Sequence, residues 1–358
     1  DGGYGWVIVA ACFLALIVSF GFINSYGAYQ RFYSEQMFKG RHAPSVVSFV
    51  GTLTAGMMNA SGPLSGWLCD RIGARPTMAG GALIMTLGLM LASLATELWQ
   101  LFLTQGLVLG MGASLIVFPA ITVPSQWFDR YRGMATGIVF AGSGVGGLAL
   151  SPLSQALMDS VGIHWTLRIM GFIVLGAALI AAVFVRTRIP AVRKPISRIY
   201  DLQRFKDRRF LILFASSVFG SLSYFIPFYY LPTHSTRLGY TATQASALLS
   251  AMNGGSVAGR ILGGFVADRF GRVNTLAVSL LISTLSVLIL WLPFTQLGVF
   301  YVFAVVYGLS CGGFISTLPV VIADIWGLQG LASIVGLAYL GYAVGSIAGS
   351  PIAGAILD

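Results

Sequence analysis

Charge is scarce in this 358-residue sequence: 21 Lys+Arg and 11 Asp+Glu make up 9% of it. A soluble domain of ordinary composition carries about 25%. With 56% hydrophobic residues and a mean hydropathy of +0.84, no water-soluble fold could cover the apolar surface. Those figures exclude a soluble globular enzyme and a disordered chain, and leave a polytopic membrane protein. Cysteine is scarce as well. Cys12, Cys69 and Cys311 lie in or beside apolar runs, which suggests neither a disulfide framework nor a metal cluster. The histidines, His42, His164 and His234, show no metal-ligand spacing. The lysines are Lys39, Lys194 and Lys206, none in a G-x-x-x-x-G-K context, so no nucleotide loop is expected. No metal, cofactor or ATP chemistry is called for.

What charge there is sits in a pattern. The net charge is +10, but the basic residues fall in short breaks between apolar runs. That is the placement of membrane-flanking charges, with lipid headgroups as partners, and not the basic face of a nucleic-acid binder. About 20 apolar residues cross a hydrocarbon core of roughly 30 Å. Eleven such runs are predicted: 5–27, 46–68, 77–95, 98–124, 133–158, 166–185, 210–232, 243–266, 274–293, 297–323 and 331–357. The loops after even-numbered spans hold fifteen of the 21 basic residues, the opposite loops five, and Arg260 lies inside span 8. The positive-inside rule then puts the basic loops and the N-terminus in the cytoplasm. No Met begins the chain and the last run stops at Asp358, which reads as a fragment trimmed at both ends.

The sequence repeats itself at long range. GWLCDRIGAR at 66–75 matches GFVADRFGR at 264–272, so Asp70 and Asp268 correspond. Pro119 and Pro319, and Ser151-Pro152 and Ser350-Pro351, correspond at nearly the same offset. A duplicated six-helix unit follows, with residues 1–186 as the first half, 187–209 as a basic cytoplasmic linker and 210–358 as five helices of the second. A twelfth helix is expected beyond Asp358. The predicted fold is all-α, two six-helix repeats around a central cavity.

The G-x-x-x-D-R-x-G-x-R loop needs Gly73 for a very short turn. It places Asp70 where it can pair with Arg or cap a helix N-terminus. The residues Asp70, Arg71, Arg75, Asp268, Arg269 and Arg272 are candidate gating charges. Simple anchoring at the membrane face is the bland alternative. The paired loops resemble the signature loop of the major facilitator superfamily, along the whole chain. Two further strings narrow the resemblance. Asp1-Gly2-Gly3-Tyr4-Gly5-Trp6 is similar to the span-1 signature of the monocarboxylate transporter family. Phe128-Asp129-Arg130-Tyr131-Arg132-Gly133 with Ala141-Gly142-Ser143-Gly144 resembles its span-5 signature. The chain is identified as a fungal-type member of that family.

Arg260 is the one basic residue deep in a span, and a membrane-buried charge is costly unless it faces a cavity or a partner. Asn253, Ser256 and Arg260 share one helix face at i, i+3 and i+7. A guanidinium in a dry cavity binds a carboxylate in bidentate fashion, and the resemblance implies that Arg260 holds the substrate anion. Asn24, Asn253 and Ser256 complete the candidate binding set. Two departures follow from the same alignment. Asn24 stands where the family's proton-coupled members have Lys, and Ser256 where they have Asp. Neither titrates, so protons are a doubtful co-substrate. Asp324, near the same end of span 10 as the gate, reads as a structural acid facing the gate charges. Ser310-Cys311-Gly312-Gly313 in span 10 either widens the cavity or serves close packing. The aromatic group Tyr224, Phe225, Phe228, Tyr229 and Tyr230 reads as an interfacial belt.

The expected function is transport of a small, monocarboxylate-like organic anion by alternating access. The alternatives are a uniporter or exporter of a larger metabolite, such as a vitamin or secondary metabolite, and a transporter-like sensor. The resemblance implies the plasma membrane, with the vacuolar membrane as the other choice.

Overall fold

The computed structural model describes residues 1–39, 41–190 and 199–357. Lys194 and Pro195 of the predicted linker lie outside the described residues, as do the side chains of Phe225 and Tyr229 and those of Gly349, Ser350 and Pro351. The described chain is all helix, with no strand. In order, the helices are α1 (Tyr4–Asn24), α2 (Tyr26–Phe32), α3 (Pro44–Ala60), α4 (Gly62–Ile72), α5 (Ala74–Ala92), α6 (Leu98–Leu101), α7 (Gly110–Thr122), α8 (Pro124–Trp127) and α9 (Arg132–Phe184). After a short 3-10 turn come α10 (Arg208–Arg237), α11 (Ala242–Phe270), α12 (Arg272–Ser286), α13 (Leu297–Trp326) and α14 (Leu331–Leu357). Among the described residues, seven helical runs are long and apolar enough to cross a membrane.

Every predicted span lies on helix, but the divisions differ. Span 2 is broken at Ser61, where α3 gives way to α4 with Pro63 in its first turn. A proline there lacks only an N–H that the helix start could not have used. Spans 5 and 6 form one run, α9, interrupted at Gly162 with φ 76°. Only glycine takes that conformation cheaply, so a single residue reverses the chain. Segments of π-helix occur at Tyr33–Met37, Phe102–Leu109 and Val287–Trp291.

The sequence repeat appears in the backbone. Gly73 (φ 93°) and Gly271 (φ 96°) each end one helix and begin the next. The turns α4–α5 and α11–α12 therefore have the same one-glycine geometry. The two ends of the bundle differ in packing. Toward the end that carries these turns, α4 lies against α14 and α9 against α11 along glycines. A Cβ on Gly66 would stand 2.1 Å from the Ala332 carbonyl, and one on Gly336 2.2 Å from the Gly62 carbonyl. Gly133 and Gly264 approach equally closely across α9 and α11, and a Cβ on Gly137 would stand 2.2 Å from the Arg260 carbonyl. Toward the other end, Asn24, Ser250, Asn253 and Gly254 are exposed. The bundle is closed at its Asp70/Asp268 end.

Candidate functional site

Arg260 sits where α11 meets α9, and only 8% of it is exposed. Its Nη1 donates to the Phe140 carbonyl at 3.0 Å and to Ser143 Oγ. Its Nε is buried without a partner. A guanidinium in the membrane interior is unfavourable by about 2.5–3.5 kcal/mol on insertion scales. Two oxygens of α9, a carbonyl and a hydroxyl, offset part of that and leave the Nε unused. Ser143 joins two predicted residues, because Asn24 Nδ2 donates to its carbonyl at 3.1 Å. Ser256 lies a turn away from Arg260, is 2% exposed, and its Oγ has no partner. Tyr224 of α10 and Cys311 of α13 neighbour both Arg260 and Ser256. Asn253 is on the same face but exposed, and its amide donates to Leu249 of its own helix at 3.0 Å. The structure thus brings Asn24, Ser256 and Arg260 together and leaves Asn253 at the rim.

Gly308 and Gly312 of span 10 serve packing. A Cβ on Gly312 would stand 2.2 Å from the Ser256 carbonyl, and one on Gly308 2.3 Å from the Met252 carbonyl. The glycines of α13 let α11 approach backbone to backbone, which fixes Arg260 against α9. The widened-cavity alternative is therefore set aside for Gly312. The aromatic group of α10 is not a belt throughout. Tyr224 and Phe228 pack together at 5.4 Å, and Phe228 meets buried Tyr307 at 6.3 Å.

The motif acids face helix ends across the bundle. Asp268 accepts from the Gly133 and Met134 amides, both at 2.8 Å, at the N-terminus of α9. Asp70 accepts from the Ser333 amide at 3.1 Å and from its hydroxyl, at the N-terminus of α14. A carboxylate at a helix N-terminus satisfies free N–H groups and meets the positive end of the dipole. Each repeat thus caps a helix of the other. The α9–α11 side has an ion network besides. Arg132, 8% exposed, pairs with Asp324 at 2.8 Å and Asp129 at 3.1 Å. Arg272 pairs with Asp324 and with Asp268 at 3.5 Å, and donates to the Asp129 carbonyl at 2.6 Å. The other candidate gate residues make contacts within their own set of helices. Arg75 donates to the Val183 and Val185 carbonyls at 2.8 and 2.7 Å, at the C-terminus of α9. Arg71 and Arg269 lie over Trp67 and Phe265.

The two signature strings touch each other. Asp1 accepts from the Asp129 and Arg130 amides at 2.8 and 3.2 Å, Trp6 packs edge-on against Phe128 at 5.0 Å, and Tyr4 meets Trp127 at 5.6 Å. Sequence reasoning assigned no role to Ser143 or Arg132. The Ala-Gly-Ser-Gly string was the available signal for the first. For the second it was the Phe128–Gly133 string in which Arg132 lies. No group of three or more metal-ligating side chains occurs among the described residues.

The profile of the Major Facilitator Superfamily matches residues 5–259 and 230–358. The MFS transporter asaE of Aspergillus flavus is 36% identical over 360 residues, spanning all of this chain and 81% of that protein. The aspyridones efflux protein apdF of Emericella nidulans is 32% identical over 361 residues, spanning all of this chain and 73% of that protein. Among solved structures, the proton:xylose symporter XylE superposes with a TM-score of 0.76 at 13% identity, covering 98% of this chain and 88% of the symporter. At that identity the likeness is one of fold.

Proposed function

Because the chain belongs to the major facilitator superfamily, we propose that it exports an organic acid by alternating access, with Arg260 holding the anion. As a member it is a multi-pass membrane transporter and not an enzyme. The observation that carries the reading is the placement of Arg260: buried, bonded across the bundle to Phe140 and Ser143, with a donor unused. An anion arriving there competes with oxygens of the opposite helices, so binding and movement of the two sets are linked. In this reading 1–186 and 210–358 are the rocking halves and 187–209 joins them. The N-terminus and the Asp70/Asp268 end face the cytoplasm, and the membrane is the plasma membrane. The capped end is the closed gate of an outward-facing state.

The cargo is a metabolite larger than lactate, carried by a fungal-type member of the monocarboxylate branch. The efflux name of a 32% identical relative supports that choice. Asn24 and Ser256 cannot titrate, which argues for transport without protons at this site. Purified protein in liposomes, given lactate or a panel of larger carboxylates, with internal pH recorded, tests both points. Movement of a larger acid without acidification is expected. Lactate uptake with matching acidification contradicts the reading.

A further inference from the structure

Four buried polar atoms of α11 and α14 have no hydrogen-bond partner: Arg260 Nε, Ser256 Oγ, Tyr339 Oη and Tyr342 Oη. Each of these residues is less than a tenth exposed. They belong to one neighbourhood. Tyr224 neighbours Arg260 and Ser256, and Tyr342 in turn lies near Tyr224, Tyr307, Cys311 and Tyr339. The walls are flat. Tyr339 stacks on Tyr342 with centroids 5.1 Å apart and 19° between planes. Tyr342 stacks on Phe314 at 6.0 Å and 22°. Phe118, from α7, meets Tyr339 edge-on at 5.4 Å.

Buried hydroxyls and guanidinium nitrogens are rarely left alone, and an orphaned set calls for a partner supplied from outside the chain. The set is rich in donors and holds no carboxylate. One carboxylate can satisfy Arg260, but it does not also serve two tyrosines on another helix. Those call for a second acceptor on the same ligand. An aromatic cluster favours a conjugated body linking the two acceptors, packed edge-to-face or offset against the rings.

We propose that Tyr339, Tyr342 and Ser256 form, with Arg260, a recognition site for a flat conjugated acid that bears a second oxygen acceptor away from its carboxylate. The proposal rests on Arg260 as the anion site and adds the chemistry of the rest of the cargo. It makes Tyr339 and Tyr342 specificity-determining residues.

The test measures binding to the purified protein in nanodiscs, using two acids of nearly equal shape. In 4-acetylbenzoate the second group is a carbonyl; in 4-isopropenylbenzoate the oxygen is replaced by a methylene. The wild type should bind the first about tenfold more tightly, because the second leaves the hydroxyls unpaired. The conservative double variant Tyr339→Phe/Tyr342→Phe should bind the two acids alike. It should lose affinity for 4-acetylbenzoate and keep its affinity for 4-isopropenylbenzoate, a discrimination that a merely structural pair would not alter. Arg260→Ala should lose both acids. Equal binding of the two acids by the wild type, no binding of either, or a preference that survives in the double variant overturns the proposal. If Arg260→Ala retains both acids, the anion-site reading fails instead.

Discussion

Closing of the Asp70/Asp268 end depends on glycine at the two seams, and Gly66→Ala tests that dependence. The added Cβ would stand 2.1 Å from the Ala332 carbonyl and 2.5 Å from its carbon. These are backbone atoms of α14, so no side chain can swing aside. The helices must part by roughly 1 Å or more to restore ordinary contact. Overpacking of this kind costs about 1–3 kcal/mol. If the opposite conformation relieves the contact, the closed-to-open ratio falls by roughly 5- to 150-fold. Gly133→Ala acts on the other seam, where a Cβ would meet the Gly264 carbonyl at 2.5 Å. The two share no partner, so the pair should shift the ratio by at least roughly 30-fold. Spin labels on Arg71→Cys and Gln329→Cys, both exposed at the closed end, report the separation directly. Cys12, Cys69 and Cys311 are buried and should stay unlabelled. The wild type should show the shorter distance, and each alanine variant a growing longer population. An unchanged distribution in the double variant would refute the argument that these glycines set the closed state.

Other expectations follow from the same contacts. Asp324→Ala removes a shared partner of Arg132 and Arg272. It leaves a buried cation short of a partner, so the closed state should weaken by about 1–3 kcal/mol, visible as the same lengthening of the spin-label distance; no change would mean the network is idle. Gly312→Ala drives a Cβ to 2.2 Å from the Ser256 carbonyl and should lower thermal stability by about 1–3 kcal/mol, whereas unchanged stability would revive a roomy span 10. Asp207, at the start of α10 and outside the spans, accepts from the Trp326 indole and the Arg209 amide, both at 2.9 Å. The indole hydrogen bond, and then that amide, hold its carboxyl below the usual range. A depressed folded value means that its contribution is complete above the unfolded value of about 3.9 and is lost as pH falls through the lower folded one. Thermal melting of the wild type should therefore lose more over that acid range than melting of Asp207→Asn; parallel profiles would contradict the linkage.

Much of the architecture was legible because membrane spans and tandem repeats leave one-dimensional marks. The eleven apolar runs all lie on helix, and the Asp70/Asp268 offset reappears as matched turns at Gly73 and Gly271. Arg260 stood out because a lone charge in an apolar run is costly anywhere in the fold. Its partners were not legible. Nothing in the local pattern says that Ser143 faces Arg260, because that pairing depends on how α9 and α11 dock. The same holds for Arg132 and Asp324, 192 residues apart. Gly312 illustrates a different limit: a small residue reads identically as empty space and as close contact until the neighbouring helix is placed. Nothing in the sequence pattern singles out Tyr339 and Tyr342, and only their unpartnered hydroxyls set them apart.

The central claim is that Arg260 holds an anion while the carrier turns over. It is tested most directly by counterflow in liposomes with wild type, Arg260→Ala and Arg260→Lys, using an accepted acid and its uncharged amide. The account predicts transport of the acid but not the amide by the wild type. Arg260→Ala should be inactive at normal membrane yield, and Arg260→Lys should be severely weakened, since an ammonium cannot reproduce the planar two-pronged contact. Acid transport by Arg260→Ala at the wild-type rate would contradict it.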